Sequence, residues 1–140
     1  MDWGWRYNLM VWVLDILVLR RKLRAIRMRA CDLAGVHEGE AVLDFGCGTG
    51  TLALEAYRRV GRTGRVSGVD PGPRQIARAQ SKAQRAGFTI DFELGVIEHL
   101  PFVGGSFDVV LNTMMMHHLP EDLKSRGLSE MGRVLKPGDA

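Results

Sequence analysis

Beyond residue 38 the apolar positions fall into short solid blocks that alternate with stretches of helical spacing. Ala41 to Phe45 is an apolar run ending at Gly46, which predicts a buried strand. Thr51 to Val60 then carries Leu52, Ala56 and Val60 on one helical face, and Gly61-Arg62-Thr63-Gly64 ends that helix. Arg65 to Val69 is a second predicted strand, and Pro71-Gly72-Pro73 leads into a helix with Ile76, Ala79, Ala83 and Ala86 on one side. Phe88, Ile90, Phe92 and Leu94 alternate with Thr89, Asp91 and Glu93, the period of a half-buried strand. After the break at Gly104-Gly105-Ser106, Phe107 to Leu111 predicts a fourth strand. Pro120 to Leu135 predicts a closing helix with Leu128, Met131 and Leu135 inward. Strands separated by helices of this length pair in parallel through right-handed crossovers, so the expected fold is α/β, a doubly wound Rossmann-like parallel sheet.

The first 37 residues follow another pattern. Leu9 to Leu19 is apolar except for Asp15, and eleven helical residues rise only about 16 Å against a hydrocarbon core of about 30 Å. A membrane span is therefore excluded for this stretch. A signal peptide fits poorly as well, because the basic residues follow the apolar run and no small-residue cleavage site comes after it. The expected organisation is an N-terminal helical lid or amphipathic segment over residues 1–37 and a folded domain over residues 38–140.

Charge sharpens this division. The chain of 140 residues carries a net charge of +3, yet residues 1–30 alone hold Arg6, Arg20, Arg21, Lys22, Arg24, Arg27 and Arg29 against Asp2 and Asp15. The remainder is slightly acidic. Residues 9–29, with Trp12 among them, are thus a candidate for peripheral contact with a lipid surface, in preference to nucleic acid. Two cysteines, Cys31 and Cys47, have no partner in any metal-binding spacing, so no metal site is expected and a reducing, cytoplasmic setting is.

Candidate chemistry gathers at the first strand-to-helix turn, Asp44-Phe45-Gly46-Cys47-Gly48-Thr49-Gly50. Three glycines there let a ligand lie against backbone at the start of the next helix. A tight structural turn would explain the glycines alone; the acid Asp70 at the end of the second strand adds the partner that ribose hydroxyls need. A dinucleotide fingerprint would have Gly or Ala where Thr51 stands, which counts against a nicotinamide cofactor.

Six segments in order resemble the motifs of class I S-adenosylmethionine-dependent methyltransferases, in particular the quinone-biosynthesis-like methyltransferase type 11 branch. They are Asp44 to Gly50, Gly68-Val69-Asp70-Pro71, Glu98-His99-Leu100-Pro101-Phe102, Phe107-Asp108-Val109-Val110, His117-His118-Leu119-Pro120, and Arg133-Val134-Leu135-Lys136-Pro137-Gly138. The resemblance covers residues 38–138 and implies S-adenosyl-L-methionine as cofactor and a small-molecule or lipid-like methyl acceptor. It implies that Gly46, Cys47, Gly48, Thr49 and Gly50 lie against the methionine moiety, with Asp44 beside them. Asp70 would hold the ribose, Pro71, Val96 and Ile97 would border the adenine, and Asn112 and Thr113 would face the amino end. His117 is the candidate proton carrier, the alternative being a loop cap, while Met114, Met115 and Met116 suit an apolar acceptor. Cys47 is expected to be an inert small side chain.

The chain departs from the family in two ways. Val96 stands where the family has an aspartate that bonds the adenine amino group. The family sheet also continues past Lys136-Pro137-Gly138 into a fifth strand, so the domain is expected to be truncated at its C-terminus, leaving an uncovered fourth strand open to self-association. Two rival readings follow: a truncated cofactor-binding or partner-binding domain without catalysis, and an NAD-binding oxidoreductase domain.

Overall fold

The computed structural model describes residues 19, 21–112 and 119–137. Four parallel strands, β1 (Ala41–Phe45), β2 (Arg65–Asp70), β3 (Asp91–Leu94) and β4 (Val109–Leu111), form one sheet in the order β3-β2-β1-β4. A helix over residues 21–34, α1, precedes them. Helices α2 (Thr51–Val60) and α3 (Pro73–Ala86) make the crossovers, and α4 (Glu121–Val134) follows β4. The expected doubly wound α/β sheet is present.

Burial on both faces explains why β1 is nearly all apolar. Val42 belongs to the cluster that includes Cys31, Leu52, Ala56, Ile76, Ala79, Ala83 and Phe92, under α1, α2 and α3. Leu43 and Phe45 belong to the opposite cluster with Val69, Ile97, Leu100, Phe107 and Val134, under α4. The described part of residues 1–37 is tied directly to this core: Cys31 is fully buried, and Arg59 of α2 pairs with Asp32 while donating to the Met28 carbonyl at 3.0 Å.

Four sequence expectations are corrected. The third strand starts at Asp91, because the Phe88 N–H is taken by the Ala83 carbonyl at 2.9 Å in the turn that closes α3 after left-handed Gly87. Phe88 instead stacks on Tyr57, Leu94 at the strand end is 55% exposed, and Ala86 also faces outward. The fourth strand is shorter than predicted. Phe107 turns its backbone away from β1 to accept from Lys136 N–H at 2.8 Å and donate to Val134 at 3.0 Å, forming an isolated parallel bridge with Leu135. In α4, Gly127 and Val134 are the buried positions and Leu128 is exposed; this rotation brings Glu130 to the Leu100 N–H at 2.9 Å.

Asp108 ties the edge of the sheet together. Its carboxylate accepts from Ala41 N–H at 2.8 Å and from Lys136 Nζ at 3.1 Å, while its own N–H donates to the Ala41 carbonyl at 2.8 Å. The Ala41 N–H and Lys136 hold its carboxyl below the ordinary carboxylate range. Asp108→Ala should therefore cost about 1–3 kcal/mol near neutral pH. A depressed folded pKa contributes stability above the ordinary carboxylate range and loses it as pH falls, so the gap should narrow once the pH is taken below that range. Urea unfolding of both proteins near neutral pH and below that range checks this; a gap that does not narrow in acid would contradict it.

Candidate functional site

The sheet changes winding direction between β1 and β4, which are adjacent in space but not in sequence. Crevices at such switch points, beyond the C-terminal strand ends, are where open α/β sheets take ligands. The glycine turn after β1 stands there. It is built by one acceptor: the Val69 carbonyl takes the N–H of both Gly46 and Cys47, each at 2.9 Å. Gly46, Gly48 and Gly50 all have positive φ, at 70°, 55° and 83°. At Gly50 the reason is also steric, since a Cβ would lie 2.9 Å from both Ala79 Cβ and Phe92 Cζ. At Gly48 a Cβ would meet nothing within 4 Å, so this side of the turn is open to a ligand.

Asp70 closes the turn from the neighbouring strand. Its Oδ2 accepts from Gly48 N–H at 3.0 Å and its Oδ1 from Gly72 N–H at 2.8 Å, fixing a carboxylate that is only 7% exposed. Each oxygen keeps a further lone pair for a ligand hydroxyl. Pro71 follows it in an exposed position.

Asp44 lies at the other extreme. It is 1% exposed, and among the described residues its Oδ2 has no hydrogen-bond partner. Burial pushes its pKa up to about 7, the Ala53 N–H in the first turn of α2 works against that rise, and the charge of Asp70 adds to it. One residue past β4, Asn112 likewise has a buried Oδ1 without a partner among the described residues, and β4 pairs with β1 so that Leu111 stands opposite Asp44. Two orphaned acceptors on adjacent strand ends are costly in a folded protein. A cationic donor group is the ligand chemistry that would satisfy both.

Past β3, Gly95 donates to the Asp70 carbonyl at 3.2 Å and carries the chain across the end of β2. Val96 is 44% exposed beside it, whereas the Ile97 side chain sits in the α4-side core, leaving its backbone as the part nearest the site. Arg133 and Glu130 of α4 pin the segment that follows: Arg133 donates to the carbonyls of Leu100 at 3.0 Å and Phe102 at 2.8 Å. Cys47 is buried and its thiol is pushed up to about 12, first by desolvation, so it is a poor nucleophile. Thr113 and His117 lie outside the described residues.

Lys82 was not legible as a site residue. From the third turn of α3 its ammonium donates to the hydroxyls of Thr49 at 3.0 Å and Thr51 at 3.1 Å, bracing the end of the glycine turn where α2 begins. No spacing signal marks it, because its partners are about thirty residues away in the chain.

A family model described as "Methyltransferase domain" matches residues 42–138. The chain is 38% identical over 106 residues to an arsenite methyltransferase of Halobacterium salinarum, covering 75% of this chain and 27% of that protein. It is 35% identical over 112 residues to a ubiquinone/menaquinone biosynthesis C-methyltransferase of Bdellovibrio bacteriovorus, covering 80% of this chain and 46% of the relative. The chain thus spans less than half the length of these curated relatives. A solved SAM-dependent methyltransferase from Aquifex aeolicus superposes with a TM-score of 0.71 at 26% identity, over 79% of this chain and 58% of its own.

The raised pKa of Asp44 makes a stability prediction. A carboxyl whose folded pKa exceeds its unfolded value costs nothing when protonated in both states; stability then falls as pH rises from the ordinary carboxylate range to the folded pKa, here about 7, and levels off above it. Asp108 and Glu130, both held below the ordinary range, are already ionised between about pH 5 and 8 and contribute no slope there. Asp44→Asn should therefore flatten the fall in stability between about pH 5 and 7 and exceed the parent protein in melting temperature above that window. Parallel slopes for the two proteins would show that Asp44 is not buried as an acid.

Proposed function

Because the chain belongs to the methyltransferase-domain family, we propose that it binds S-adenosyl-L-methionine at the strand ends of β1, β2 and β4 and delivers the methyl group to a small-molecule or lipid-like acceptor. The observation that carries this reading is the pair of orphaned acceptors, Asp44 Oδ2 and Asn112 Oδ1, beside a glycine turn closed by Asp70. A cationic amino acid end and a ribose are together what that set of groups lacks. When bound, the cofactor supplies a methyl group already activated on a sulfonium, so the protein's share is alignment and exclusion of water.

In this reading Asp44 and Asn112 offset the positive amino end, with Thr113 next in the chain. The backbone from Gly46 to Gly50, with Cys47 and Thr49, forms the floor beneath the methionine part. Asp70 accepts from the ribose hydroxyls through the lone pairs that Gly48 and Gly72 leave free. Pro71, the exposed Val96 and the Ile97 backbone border the adenine. His117 is proposed to take the proton released by the acceptor.

An apolar acceptor agrees with the outer side of α1. Leu23, Ile26 and Leu33 are exposed there at helical spacing, and Lys22 and Arg29 are exposed on the same helix. No helix among the described residues is long and apolar enough to cross a membrane. The lipid contact proposed for residues 9–29 is of the peripheral kind. At the opposite end of the sheet, the bridge between Phe107 and Leu135 starts an outer ladder on β4. Further chain, or a second copy, would continue it along Val109 and Leu111.

Calorimetric titration with S-adenosylhomocysteine and with NAD tests the reading. Binding of the first and not of the second is expected. Asp70→Ala should weaken it by about 1.5–3 kcal/mol, roughly ten- to a hundredfold, through loss of a charged hydrogen-bond acceptor. Unchanged affinity in that variant would remove the ribose assignment, and binding of NAD alone would favour the oxidoreductase reading.

A further inference from the structure

A second concave site lies on the far side of the glycine turn, between α1 and α2. It is a cavity of about 400 Å³ lined by Arg24, Arg27, Thr51, Glu55 and Arg58. Lys82 reaches its rim through the Thr51 hydroxyl at 3.1 Å. Three arginines therefore line one hollow with the Lys82 ammonium at its edge, and among the described residues Glu55 is the single acid of the lining. Glu55 is itself shared, pairing with Arg58 at 3.2 Å and with Arg59 at 3.5 Å. Among the described residues, Arg24 and Arg27 make no ion pair.

Gathering like charges in this way opposes folding unless something offsets it. Lys82 registers the strain: burial pushes its ammonium below the ordinary lysine range, and the charges of Arg27 and Arg78 add to that. α2 contributes Thr51, Glu55 and Arg58 to the wall; its first turn contains no acid, and its N-cap, Gly50, provides no side-chain hydrogen bond. That end of α2 adds positive potential of its own.

We infer that this cavity is a binding site for a phosphate group carried on a larger molecule, with Arg24, Arg27 and Arg58 as its forked donors and the Thr51 hydroxyl as its polar floor. Guanidiniums match phosphate oxygens two at a time, which distinguishes such a site from a diffuse basic surface. The volume leaves room beyond the phosphate for its substituent. Because Lys82 joins Thr51 to Thr49, an occupant here would bear on the same turn that the cofactor uses, without sharing its donors.

The test uses the full chain and two double variants of equal charge loss. Arg24→Gln/Arg27→Gln empties the cavity wall, and Arg62→Gln/Arg85→Gln removes two exposed cations that lie outside both the lining and residues 9–29. The probes are inorganic phosphate and glycerol 3-phosphate, titrated against chloride at matched ionic strength, and phosphatidylcholine vesicles with and without phosphatidic acid. The expected result is saturable binding of a phosphate probe that falls at least tenfold in the first variant and less than about twofold in the second. Glycerol 3-phosphate binding alone would identify a soluble phosphorylated ligand, and selective retention on phosphatidic acid vesicles a lipid headgroup; either supports the site. Equal losses in the two variants, or phosphate no better than chloride, would overturn it. S-adenosylhomocysteine affinity, measured alongside, should be unchanged in both variants, which separates failure of this site from failure of the cofactor reading.

Discussion

The loop at the top of β1 exists because two neighbouring groups at the end of β2 accept its hydrogens: the Val69 carbonyl takes Gly46 and Cys47, and the Asp70 carboxylate takes Gly48. Without those acceptors, a turn with three residues at positive φ would have no reason to hold one shape. With them, its backbone is pinned to the sheet and its open side is presented to solvent. The rest follows from that closure. Gly50 can pack against Ala79 and Phe92, α2 starts directly above the buried Asp44, and α3 is brought near enough for Lys82 to brace Thr49 and Thr51.

The two acids of the site do opposite work. Asp70 is satisfied by backbone donors and contributes to the scaffold as well as to the proposed ligand contact. Asp44 is left with an orphaned oxygen and a pKa raised to about 7, which makes it a local cost to folding at physiological pH. Proteins retain such costs where function offsets them. The tension at the cavity beside α1 has the same form with the sign reversed, since cations there outnumber their acids.

The fold and the glycine turn were legible in the sequence because both rest on local signals: apolar blocks, helical spacing and glycines next to acids. Errors arose where a backbone group was claimed by a partner from another element. Phe88 fits the alternation of a strand, but its N–H goes to the α3 terminus. Phe107 looks like strand and instead bridges outward to Leu135. Leu128 is the apolar choice for the face of α4, yet the helix is turned so that Glu130 and Arg133 reach the segment around Leu100. Lys82 was invisible for the same reason, its role being defined by distant hydroxyls. Thr113 and His117 remain readings of the sequence.

The central claim is that the raised, orphaned carboxyl of Asp44 awaits a cationic group of the cofactor. Calorimetry of S-adenosylhomocysteine binding in buffers of different ionisation enthalpy measures the protons exchanged on binding. A cation beside Asp44 lowers its pKa, so at about pH 6, where the free protein holds that proton, binding should release most of one proton per ligand, and the release should shrink toward zero by about pH 8. Binding at pH ~6 with no proton release would contradict the account.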